Sequence, residues 1–108
     1  MYAASCHDSA MEVEFKDKNL DRLETDARFT AGYTAGVVSA YRKRLQLIRS
    51  APDERDFRQV RSLHFEKLKG ARSHQYSMRL NDQYRLIIEF HGKSQEKIVY
   101  VVGIEDYH

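Results

Sequence analysis

The sequence predicts an α+β domain: a small antiparallel sheet with two N-terminal helices packed on one face. Three observations carry this. Apolar residues alternate at Tyr76, Met78 and Leu80 and resume at Tyr84, Leu86, Ile88 and Phe90, the period-two pattern of half-buried strands on either side of Asn81-Asp82-Gln83. Val37, Tyr41, Leu45 and Ile48 recur at helical spacing and form one apolar stripe. Ile98 to Val102 is an unbroken β-branched and aromatic run, as expected of a strand covered on both faces. Helices first and strands after is the order of an α+β domain.

Residues 1–10 show no periodicity and read as a disordered extension before a single domain at 11–108, with Met11 a plausible initiator. Met11 to Phe15 alternates and reads as a short strand. Asp17 or Asn19 can cap a short helix through about Asp26, with Leu20 and Leu23 inward. Phe29 to Tyr33 is a loop containing Gly32. Thr34 can cap the long helix to about Ala51, with Arg42, Lys43, Arg44 and Arg49 mostly off the apolar stripe and Pro52 ending it. Asp53 opens a short helix or turn to about Val60, and Arg61 to Lys67 reads as extended or irregular. A basic loop from Leu68 leads into the hairpin. Gly92 to Gln95 is a turn, and Gly103 is expected to break the last strand.

The composition, 42% hydrophobic and 31% charged over 108 residues, suits one soluble globular domain. A single cysteine, Cys6, excludes an internal disulfide and favours a reducing compartment. No apolar run approaches the ~20 residues of a membrane span, and residues 1–10 lack the features of a signal peptide. The expected location is the cytoplasm, with no membrane contact. The net charge of +2 conceals blocks: 4 Lys/Arg against 7 Asp/Glu in residues 1–41, 13 against 6 in 42–93, and 1 against 3 in 94–108. A basic middle between acidic ends suits a polyanion-binding domain; a solvated basic surface without a partner is the plainer alternative. There is no Gly-rich phosphate loop, paired-cysteine zinc spacing or His-Glu-x-x-His helix, and the five histidines are scattered. Neither metal nor cofactor is expected.

The chemistry must then come from Lys, Arg, Tyr, His and Asp. If Asn81-Asp82-Gln83 is a hairpin loop, Leu80 pairs with Tyr84 and Arg79 with Arg85. Like charges placed opposite each other destabilise a sheet unless an anion or carboxylate joins them, so the pair marks a candidate anion site with Lys69 and Arg72 just upstream. Metal-free RNA cleavage by the adjacent 2′-hydroxyl needs a base, fixed cations for the pentacovalent phosphate, and an acid for the 5′-oxygen. Strand arginines suit the second role because their fork is planar and always charged. Lys69 lies before Gly70, where no side chain obstructs a phosphate. Asp106-Tyr107-His108 could supply proton transfer and orientation. The plainer readings are a frayed terminal histidine, Asp106 paired with an arginine, Tyr107 packed on the sheet edge, and Arg79 or Arg85 bridged to Glu66 or Glu89. Tyr76, Tyr84 and Tyr100 read as core aromatics, and His64 and His74 as surface residues.

At these residues the chain resembles a known family. Leu68-Lys69-Gly70, the run Tyr76-Ser77-Met78-Arg79-Leu80-Asn81-Asp82-Gln83-Tyr84-Arg85-Leu86 and the closing Glu105-Asp106-Tyr107-His108 closely resemble HigB-type toxins of the RelE/ParE superfamily, over about Met11 to His108. The resemblance implies a RelE-like, microbial-ribonuclease-like fold and a ribosome-dependent mRNA endoribonuclease (an mRNA interferase) that cuts message in the A site and inhibits translation. It also implies a helix-turn-helix antitoxin partner of the HigA type, with operator DNA reached only through that antitoxin. Lys69 and Arg85 match the family's phosphate-binding positions, and Asp106, Tyr107 and His108 its terminal catalytic group; Arg79 holds an often-basic position. Where many relatives carry a histidine before Leu-Lys-Gly, this chain has Glu66, and His64 becomes the candidate second acid–base group. Two competing functions share these features: a ParE-like inhibitor of DNA gyrase, against which the Asp-Tyr-His ending argues, and a non-catalytic RNA-binding domain.

Overall fold

The computed structural model describes residues 12–51, 55–92 and 98–106. Expectations at residues 1–10, Met11, Pro52, Asp53, the 93–95 turn, Tyr107 and His108 lie outside the described residues. In chain order the elements are β1 (Glu12–Phe15), α1 (Lys18–Thr25), α2 (Ala35–Ser50), α3 (Arg55–Gln59), β2 (Glu66–Lys67), β3 (Gln75–Arg79), β4 (Tyr84–His91) and β5 (Ile98–Asp106). The strands form one sheet ordered β1-β5-β4-β3-β2.

α1 and α2 each start where a side chain satisfies their first backbone donors. Asp17 Oδ1 accepts from the N–H groups of Asn19 and Leu20 at 2.9 and 3.1 Å, and Thr34 Oγ1 from that of Val37 at 3.3 Å. The apolar stripe of α2 is buried at Val37, Tyr41, Leu45 and Ile48. It joins Leu20, Leu23, Phe57 and Leu63 in one core with Met78, Leu80, Leu86, Ile88, Val99 and Val101, so the helices cover a single face of the sheet. Polar bonds fix α1 to α2. The buried Tyr41 hydroxyl donates to the Leu20 carbonyl at 2.7 Å. Arg42 donates to the carbonyls of Leu23 and Asp26, each at 2.9 Å, and so closes the C-terminal end of α1. Arg49 grips both oxygens of Glu24 at 2.6 and 2.7 Å.

The sheet departs from the expected one in three ways. The ladders from β2 to β5 are antiparallel, but β1 joins β5 in parallel, Glu12 opposite Ile98 and Phe15 opposite Val101. Side-chain alternation is the same for either direction, so periodicity could not tell them apart. Gly103 does not break the last strand. The register shifts by a bulge there, with Ile87 opposite Gly103 and Ile88 opposite Val101, and β5 runs on to Asp106. Ile98 to Val102 is not buried on both faces: Val99 and Val101 are in the core, while Ile98 and Tyr100 on the other side, and Val102 at the bulge, are only partly covered. Tyr100 accordingly leaves the core and stacks on His91, ring centroids 4.8 Å apart. The stretch before β2 holds a short 3-10 turn, Arg61–Leu63.

Candidate anion site on the open face

The β3–β4 hairpin turns as its side chains require. Asn81 Oδ1 accepts from the backbone N–H groups of Gln83 and Tyr84 at 2.8 and 2.7 Å, and the Leu80 N–H donates to the Tyr84 carbonyl at 3.0 Å. Arg79 therefore stands opposite Arg85, and Arg85 in turn opposite Glu105 on β5, making a row of three charged residues across the face away from the helices. Arg79 is tied to the Asp82 carboxylate and to the Asn81 carbonyl at 3.3 Å. A loop carboxylate thus relieves part of the like-charge repulsion, in place of the expected Glu66 or Glu89.

An open cleft of about 190 Å³ lies over this row, lined by His64, Glu66, Ser77, Arg79, Arg85 and the loop residues Asn81 and Asp82. Ser77 is buried at its floor. His64 closes the 3-10 turn in the left-handed conformation, φ 48° and ψ 50°. That conformation costs an L-residue energy and places the imidazole of a surface residue at the cleft wall. Sequence reasoning missed Arg44. It leaves α2 beside the apolar stripe and donates from Nε to the Arg79 carbonyl at 2.9 Å, at the end of β3 beyond its pairing with β2. Burial, and then the charge of Arg79, lower its pKa from the ordinary arginine value.

Lys69 and Arg72 do not line the cleft. Lys69 precedes a 3-10 turn, Gly70–Arg72, that begins with Gly70 at φ 67°. A Cβ on Gly70 would meet nothing within 4 Å, so the glycine serves the turn and the space beside it is open. Arg72 grips both oxygens of Glu105, and that ion pair raises its pKa further. A polar network fills the far end of the same face. Glu89 accepts from Gln75 at 2.8 Å and lies 2.9 Å from His91 Nε2 and 3.4 Å from His74 Nε2. Burial raises the Glu89 pKa, but the hydrogen bonds from Gln75 and His91 and the charges of both histidines outweigh it and hold the carboxyl below its ordinary value.

Asp106 lies beside the hairpin loop, opposite Tyr84, where Gln83 Nε2 donates to it at 3.2 Å. The structure thus brings Arg79, Arg85 and His64 together at one cleft and leaves Lys69 and Arg72 outside its lining, as it does Asp106, the cross-strand neighbour of the core-packed Tyr84. The sequence does not mark the roles that Arg44, Ser77, Glu89 and Glu105 take here; each is a polar position flanking an apolar one in a helix or strand. Among the described residues, no group of three or more His, Cys, Asp or Glu side chains could hold a metal ion, and no helix is long and apolar enough to cross a membrane.

A family model described as the RelE-like toxin of type II toxin–antitoxin system HigB matches residues 13–108. "Toxin HigB-1" of Vibrio cholerae serotype O1 is 32% identical over 80 residues, covering 74% of this chain and 84% of that protein. The solved structure of a YoeB/ParE toxin from Agrobacterium tumefaciens superposes with a TM-score of 0.57 at 19% identity, over 91% of this chain and 100% of that one, a likeness of fold.

Proposed function

The chain belongs to the HigB-like family of RelE-like type II toxins, and from that premise we propose that it is a ribosome-dependent mRNA endoribonuclease that cleaves message in the A site. Membership in a toxin–antitoxin system means an antitoxin partner; its proposed type is the helix-turn-helix HigA class, through which alone operator DNA would be reached. The working domain is taken as residues 11–108, with 1–10 as an extension.

The observation that carries the activity is the opposition of Arg79 and Arg85 at the wall of a cleft that also holds His64. In the proposed reaction a base removes the 2′-hydroxyl proton and the oxygen attacks the adjacent phosphorus. The bond to the 5′-oxygen breaks, an acid protonates that oxygen, and a 2′,3′-cyclic phosphate and a 5′-hydroxyl remain. Arg85 and Lys69 are the proposed donors to the phosphorane, with Arg79 binding the neighbouring phosphate. The proton-transfer roles fall to His108, with Asp106 and Tyr107 orienting it and His64 as the second group. No metal is required by this scheme. The small open cleft suits a reaction in which the ribosome itself presents the message, supplying the proximity that free RNA lacks.

The test is cleavage of a defined message on programmed ribosomes, mapped by primer extension, beside the same RNA free in solution. Cuts within the A-site codon on ribosomes, with free RNA largely intact, are expected. Efficient cutting of free RNA would remove ribosome dependence. Intact message with arrested DNA supercoiling would instead assign the gyrase-directed reading.

A further inference from the structure

The open face is built in rows that cross three strands. Gln75, Glu89 and Tyr100 form one row, Ser77, Ile87 and Gly103 the next, and Arg79, Arg85 and Glu105 the third. Arg72 spans them. Its Nε donates to Gln75 Oε1 at 2.9 Å in the first row, and its Nη1 and Nη2 donate to the two oxygens of Glu105 at 3.1 and 2.5 Å in the third. Ile87, in the row between, is fully buried although it lies outside the core under the helices.

We propose that Arg72 is a positioning residue rather than an RNA ligand: with Glu105 it clasps the Lys69–Arg72 turn to the end of β5. Its planar fork is already matched to a carboxylate by two parallel bonds, the geometry it would otherwise offer a phosphate. Both ends of the clasp adjoin proposed site residues, since Lys69 caps the Gly70–Arg72 turn and Glu105 immediately precedes Asp106. Glu105 is also the cross-strand neighbour of Arg85, so the carboxylate that Arg72 engages belongs to the phosphate-binding row itself. Both partners are more than a third exposed, at 42% and 36%. Exposed pairs contribute little to global stability, so the consequence is local placement.

The kinetic part rests on the endoribonuclease reading; the exchange part does not. Arg72→Ala, Arg72→Lys, Glu105→Gln and the Ala/Gln double variant are compared on programmed ribosomes. Misplacement of a site by a clasp of this kind costs roughly 10- to 100-fold in kcat, with KM and its salt dependence unchanged. The double variant should be no worse than the worse single one, and lysine should not rescue, because it cannot bridge both oxygens. Hydrogen–deuterium exchange of the isolated protein should show the amides of Ile104 to Asp106 exchanging faster in Arg72→Ala and in Glu105→Gln. Glu105→Gln at the wild-type rate, or Arg72→Ala raising KM and flattening its salt dependence, would make Arg72 an RNA ligand. Unchanged exchange in Arg72→Ala would remove the clasp. If the wild-type protein leaves message intact on ribosomes, the enzymatic reading fails alone and exchange still decides the clasp.

Discussion

Arg79 and Arg85 stand directly opposite each other next to the β3–β4 hairpin loop, a like-charged pair where sheets ordinarily set unlike ones. Asp82 and the Asn81 carbonyl hold Arg79 from the loop side, and Glu105 stands on the far side of Arg85. The arrangement keeps two guanidinium groups over one cleft, at a cost to the sheet that a bound phosphate would offset.

Arg85→Ala should therefore lower the cleavage rate far more than ribosome affinity. Arg85 is one of 18 Lys/Arg, so general attraction to RNA barely changes. Loss of one donor fixed for the transition state costs on the order of 10²–10³ in rate. Single-turnover cleavage beside a binding titration separates the two; equal losses in both would make Arg85 a docking residue.

His64 offers a comparison between two substitutions that remove the same imidazole. At φ 48° alanine keeps the strain and glycine does not. His64→Gly should be more stable than His64→Ala by about 1 kcal/mol in urea unfolding. Both should lose the same activity. If either retains full cleavage on ribosomes, the imidazole has no part in proton transfer.

Tyr41→Phe removes one buried hydrogen bond, from the hydroxyl to the Leu20 carbonyl, and nothing near the cleft. The expected loss is about 1 kcal/mol of stability, read as a lower Tm, with activity per folded molecule unchanged. The same hydroxyl has its pKa raised, first by burial and then by the charges of Glu24, Asp21 and Asp17, so it should stay protonated through alkaline titration of the exposed tyrosines.

Stability should fall with acid through Glu89. Its folded pKa is depressed below the ordinary 4.5. The contribution is therefore present above that value and lost as pH falls through the lower, folded one. Glu89→Gln should lower Tm at neutral pH and flatten part of its decline below about pH 4.5. Asp26, held low by the backbone N–H of Arg28 and by Arg22, should keep the remainder. An unchanged acid profile in Glu89→Gln would place the sensitivity elsewhere.

Local pattern alone decided much of this protein. Alternation around Asn81-Asp82-Gln83 placed Arg79 opposite Arg85, because a hairpin's register follows from its loop and its period of two. The caps at Asp17 and Thr34 and the buried stripe of α2 were equally legible, since each depends on residues within a turn or two. What the sequence could not decide depends on distant segments meeting. The parallel pairing of β1, the bulge at Gly103 that turns Glu105 toward Arg85, and the grip of Arg72 on a carboxylate 33 residues away all arise only once the chain has closed. A guanidinium finds its partner by position in space, and nothing local marks Arg72 for Glu105 rather than for a phosphate.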